Sequence, residues 1–163
     1  MGTTEGHHCR LGETKFSFGT TSAIITNLAL ICGLDAVNNP KRAIVGSILV
    51  IALADNFSDS MGIHVFQESE GLGDREVWLS TATNFLSRVV VSFSFIGLIL
   101  ALPLRVAVPC SVVWGLSLLA VMSYAIARDR GADPRREMLI HLCMAVFVIG
   151  VSHFVGDFLV ARF

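Results

Sequence analysis

An all-α membrane bundle of five transmembrane helices, paired into a dimer, is the fold this sequence predicts. Three observations predict it. Of the 163 residues, 53% are hydrophobic and only 15% are charged, with a mean hydropathy of +0.69, more apolar than soluble domains usually are. Five apolar runs follow one another, each about long enough to cross ~30 Å of hydrocarbon. Only short polar turns separate them, with no internal repeat and no soluble domain.

Residues 1–15 form a polar N-terminal segment containing His7, His8, Cys9, Glu13 and Lys15. It lacks the basic start, apolar middle and small-residue cleavage site of a signal peptide, so the first span is expected to stay in the mature protein. His7-His8-Cys9 has soft-metal ligand chemistry, set against the ordinary mobility of a chain end. The four cysteines are too few and too dispersed for a disulfide framework, and Cys32, Cys110 and Cys143 read as small core residues.

The first span covers about 16–34, with Asn27 its most polar central group, and Asn38-Asn39-Pro40 turns the chain. The second, about 42–66, is apolar to Ala54 and then turns polar. No Pro or paired Gly interrupts 41–69, so one continuous helix of about 40 Å is expected at 1.5 Å per residue. A loop at 71–74 leads to the third span, about 77–102, which carries Asn84 and Arg88 and closes at Pro103. The fourth, about 108–127, has Ser111 and Gly115 in a spacing that permits close helix contact. After a basic loop the fifth, about 138–161, carries His141, Gly150, His153, Gly156 and Asp157.

Five spans put the termini on opposite sides of the membrane. Arg10, Lys15, Arg75, Arg128, Arg130, Arg135 and Arg136 share one side and outnumber Lys41, Arg42, Arg105 and Arg162 on the other, so the positive-inside rule places the N-terminus in the cytosol. Five helices make a thin wall around a polar path, and a homodimer with the path near its shared interface is the simplest closure. The net charge of -1 and the scattered basic residues exclude a nucleic-acid partner.

The chemistry concentrates at 52–70, ALADNFSDSMGIHVFQESE. An ionisable residue inside a membrane costs about 2.5–3.5 kcal/mol on insertion scales, so it marks a functional site. Asp55 and Asp59 stand four residues apart and share a helix face. Carboxylates so close in a low dielectric do not both ionise easily unless a cation lies between them or one takes a proton, which is what cation/proton exchange requires. Met61 and His64 add softer ligands that favour iron, manganese or zinc, and with the two aspartates make the candidate metal set. Asn56, Glu68 and Glu70 extend this set towards the cytosolic mouth, and Arg88 is a counter-ion candidate. The alternative is structural: Asp55 pairs with Arg88 or bonds to Asn27 and Asn84, and holds helices together. His153 and Asp157, another i, i+4 pair, are a relay candidate or headgroup-level charges. No nucleophile elbow, HExxH site or phosphate loop occurs, so neither an enzyme nor a bound cofactor is expected.

Three stretches resemble the vacuolar iron transporter family. The segment 28–34, LALICGL, is similar to the end of that family's first helix, which carries A-G-L; Ser60-Met61-Gly62 with Ser69-Glu70 is similar to its second-helix S-M-G and following S-E; and 151–158, VSHFVGDF, is similar to its last helix. The Leu102-Pro103 close of the third span also fits. The resemblance implies a dimeric five-helix domain that moves iron or manganese out of the cytosol in exchange for protons. Met61 then matches the family's metal-pathway methionine, or Asp59 does if Ser69-Glu70 is aligned without a gap. The family's first-helix aspartate falls on Ser22 here, and its second-helix glutamate falls near Leu53 or Ile51. Asp55 and Asp59 stand in as replacements. The Glu-rich cytosolic domain of the family's eukaryotic members has no room between the second and third spans.

Overall fold

The computed structural model describes the backbone of residues 4–162 and the side chains of residues 19–162. The side chains of His7, His8 and Cys9 lie outside the described residues. Five helices run in sequence: α1 (Thr4–Gly33), α2 (Pro40–Ser69), α3 (Asp74–Ala101), α4 (Leu104–Asp129) and α5 (Pro134–Arg162). Among the described residues no strand occurs. The helices α2 to α5 are long and apolar enough to cross a membrane, the mark of a membrane protein, while α1 contributes a shorter apolar stretch, Gly19–Gly33.

The turns obey local chemistry. Asn39 takes a left-handed conformation with φ of 56°, and Pro40 opens α2 with its ring already set for a helix. Gly71, at φ of 72°, reverses the chain after α2 in a conformation that side chains disfavour. Lys41 ties the turn ends together by donating to the last carbonyls of α3, Leu100 at 3.1 Å and Leu102 at 3.2 Å, a cation placed at a helix C-terminus.

Helix α1 stands at the centre and touches the other four, with α2 and α3 paired on one side and α4 and α5 on the other. Ile24, Leu28 and Ile31 of α1 meet Ile44 and Ile48 of α2, Phe95 and Ile99 of α3 and Leu119 of α4 in the core. Lipid is as apolar as these side chains, so close approach and van der Waals contact hold such helices together. Helix α4 provides the approach through a buried stripe at four-residue spacing: Ala107, Ser111, Gly115, Leu119, Ser123 and Ala127. Helix α5 fully buries only Ala145 and Gly156 among its described residues, with Leu142 and Ile149 packed part-buried against the core.

The expectation of one continuous second helix needs a refinement. Residues Ile51–Asp55 form a single π-helical turn between two α-helical halves, Pro40–Val50 and Asn56–Ser69. The buried residues explain it: Ile44, Ile48, Ala52, Asn56, Ser60 and His64 repeat every four positions. In an α-helix each four-residue step overshoots a full turn by about 40°, so five such steps would carry the stripe round to lipid. One wide turn, equivalent to one extra residue, takes back about 100°, half of that drift, and keeps both halves facing α3. The Asn56 side chain donates to the Ala52 carbonyl at 3.2 Å within this turn.

Candidate functional site

Helices α2 and α3 are antiparallel, and their facing polar side chains form a ladder. From the α2–α3 loop inward, the Gln67 amide donates to Ser80 Oγ at 2.9 Å, His64 Nδ1 lies 3.0 Å from Thr81 Oγ1, and the Asn84 amide donates to Ser60 Oγ at 3.0 Å. Arg88 Nε then donates to Asn56 Oδ1 at 2.8 Å. One turn further along α3, the Asn27 amide of α1 donates to Ser92 Oγ at 3.1 Å. Beyond that rung the core is mostly apolar, with Ile44, Ile48, Phe95 and Ile99, and Ser111 of α4 is a buried hydroxyl among the apolar residues. The polar ladder therefore runs from the α2–α3 loop to the middle of the bundle.

Arg88 supplies the buried cation of this ladder. It lies midway along α3 and is 1% exposed. Its Nη2 is 2.6 Å from Asp59 Oδ2 and 3.6 Å from Asp55 Oδ2. The aspartates sit on the edge of α2 with side chains 45% and 49% exposed, so one buried cation faces two half-open carboxylates. Of the two alternatives in the sequence, the pairing with Arg88 is the one realised. A charged group at bilayer depth needs protein or water around it, and Arg88 supplies that on the inner side only.

The expected set of Asp55, Asp59, Met61 and His64 does not converge. Met61 follows Asp59 by two residues, over half a turn around the helix. It lines an apolar groove of about 190 Å³ with Phe57, Trp78 and Phe85. His64 belongs to the buried stripe beside Ser60 and Gln67. Among the described residues no three His, Cys, Asp or Glu side chains are grouped to hold a metal ion. The aspartates form one pair, and His64 forms another with Glu68, whose Oε1 is 3.4 Å from His64 Nε2. Glu70 is exposed at the end of α2.

His64 is oriented with care. The Thr81 hydroxyl donates to the Val77 carbonyl at 2.8 Å and its oxygen holds His64 Nδ1 at 3.0 Å. Glu68 Oε1 faces the other ring nitrogen, so both nitrogens of the ring have a neighbour. Trp78 packs on the ring edge-on, with centroids 4.5 Å apart.

His153 and Asp157 are 3.5 Å apart, as their spacing suggests, and a third residue joins them: Asp35, just beyond α1, lies 3.6 Å from His153 Nδ1. The carboxylates sit at opposite ring nitrogens, so no single ion can be shared between them through His153. This cluster lies at the end of the bundle away from Glu68. Sequence reading passed over Asp35, Ser80, Thr81, Gln67 and Ser92; for the α3 hydroxyls the missed signal is their recurrence at helical spacing around Asn84 and Arg88.

Neither a family model, a curated protein nor a solved structure matches this chain.

Proposed function

We propose that this protein is a homodimeric membrane transporter that exports a divalent transition metal, iron or manganese, from the cytosol in exchange for protons. The observation that carries the reading is Arg88, buried at mid-bundle with Asp59 and Asp55 on its guanidinium. An arginine here is a tethered cation, held where a transported cation would have to sit.

The metal ion, as substrate, meets Glu70 and Glu68 at the cytosolic mouth, carboxylates that suit manganese, and is taken up by His64 Nε2, a borderline ligand that suits iron. It passes up the ladder to Asp59 and Asp55 and competes with Arg88 for their oxygens. Protons arriving from the far side neutralise the carboxylates, release the metal and reset the site. Asn56, which accepts from Arg88 Nε, positions the guanidinium during this exchange, and the His153–Asp157–Asp35 cluster lies on the proton-entering side. A second copy of the chain closes the half-open side of Asp55 and Asp59, which lipid cannot solvate. The resemblance to vacuolar iron transporters and the charge of the loops support the direction of export and a cytosolic N-terminus.

Uptake of Mn2+ or Fe2+ into proteoliposomes under a pH gradient tests the reading. Flux should be proton-coupled and should fall sharply in Asp59→Ala; unchanged flux in both Asp59→Ala and Asp55→Ala overturns it. The hydrogen-bond ladder favours one rival, a non-transporting metal sensor or assembly subunit in which these groups only join helices. Metal binding without flux in either direction would establish that rival, and flux of another cation alone would change the substrate.

A further inference from the structure

Three polar atoms in the seam between α1 and α3 are buried without a hydrogen-bond partner: Asn27 Oδ1, Asn84 Oδ1 and Arg88 Nη1. Two are acceptors and one is a donor, and a buried group left unmatched costs about 1–3 kcal/mol. On α3, Asn84 precedes Arg88 by one helical turn, and Ser92, the partner of Asn27, follows it by one turn. Along α3, Arg88 is thus bracketed by unclaimed amide oxygens.

Gly19 of α1 makes the room. A methyl at that position would overlap Asn84 Oδ1, lie 2.8 Å from Asn84 Cγ and come within 3.4 Å of Arg88 Cδ. The Asn84 amide and the stem of Arg88 therefore lie over the same bare α-carbon. Rotation about the outer bonds of Arg88 can carry its guanidinium from α2 to this seam with no movement of a helix.

We infer that the Gly19–Asn84–Asn27 seam is a second seat for the Arg88 guanidinium, occupied when a cation takes Asp55 and Asp59. This rests on the transport reading. The guanidinium alternates between a charged seat on α2 and a neutral one on α1 and α3, and the difference between the seats sets how easily a metal ion displaces it. Arg88 leaves two carboxylates that the ion now occupies and gives up Asn56 Oδ1, and in return it satisfies two amide oxygens that had no donor.

Two substitutions push the seats in opposite directions. Asn84→Asp is isosteric and puts a carboxylate in the seam, and the Ser60 hydroxyl can donate to it in place of the lost amide. Arg88 should then rest in the seam, and Mn2+ titrated into the full-length protein in nanodiscs should bind about tenfold more tightly. Asn27→Leu combined with Asn84→Leu removes both acceptors and should weaken Mn2+ about tenfold. A crystal structure of Asn84→Asp grown from lipid locates the guanidinium directly. The inference is overturned if the guanidinium stays on Asp59, or if both variants shift Mn2+ affinity in the same direction. Should the wild-type protein bind no Mn2+, the metal reading falls, and the crystal structure alone decides the second seat.

Discussion

The hydroxyl of Thr81 holds His64 Nδ1 at 3.0 Å while donating to the Val77 carbonyl at 2.8 Å. This contact fixes the orientation of the ring through Thr81, which is not itself a candidate ligand. Groups that orient a ligating histidine this way are typically worth 10–100-fold in metal affinity.

Thr81→Val keeps the shape and removes the hydroxyl. Mn2+ affinity, measured by the loss of free-ion EPR signal on titration, should fall by about tenfold. Thr81→Ser should retain wild-type affinity, because the hydroxyl remains. Equal affinity in wild type and Thr81→Val would show that His64 takes no part in binding.

Arg88 and Asp59 are unequal partners. Arg88 is buried among helices, whereas the Asp59 side chain is 45% exposed. Removing one member of a buried pair costs about 3–5 kcal/mol, mostly through the charge left behind. Arg88→Met should destabilise the protein by about 3 kcal/mol, the low end, because the abandoned carboxylates are half-exposed and not buried. Asp59→Asn should cost more than its own exposure suggests, since it strands part of a buried guanidinium. Thermal unfolding in detergent should place the double variant above the sum of the single losses, the sign of a coupled pair.

The sequence carried the all-helical class and the four helices long enough to cross a membrane, because lipid compatibility and Gly or Pro punctuation are local properties, whereas the apolar part of α1 is shorter than the span expected there. The Asp55–Arg88 pairing was one of two open alternatives, for pairing depends on the register between α2 and α3. The four-residue recurrence from Ile44 to His64 held a further signal, the wide turn at Ile51–Asp55. Grouping Asp55, Asp59, Met61 and His64 by proximity in sequence failed because a helix turns neighbours away from one another. Asp35 was illegible for a different reason: only the crossing of α1 and α5 brings it to His153.

That crossing gives a comparison between two glycines. A methyl at Gly156 would collide with the backbone carbonyl of Gly33, which cannot move without shifting α1, whereas one at Gly115 meets only the Leu28 side chain at 2.8 Å. Overpacking costs about 1–3 kcal/mol, depending on what can yield. Gly156→Ala should sit at the upper end and Gly115→Ala at the lower, as read from detergent unfolding midpoints. Equal losses would mean that α5 can slide along α1.

The π turn permits a stricter test, because it amounts to one extra residue in a helix. Removing Ala54, which is exposed, should let Ile51–Asp55 close into ordinary α-helical hydrogen bonds. The buried stripe would step by three positions instead of four from Ala52 to Asn56, and both halves of α2 would still face α3. Removing Ser58, one turn later in regular helix, has no such relief and rotates everything beyond it by about 100°. The Ala54 deletion should therefore fold, with an unfolding midpoint far closer to wild type than the Ser58 deletion. Its metal flux should still be lost, since π turns recur at functional sites and this one sets the angle at which Asp55 meets Arg88. A folded Ala54 deletion with full flux would show that the wide turn serves packing alone.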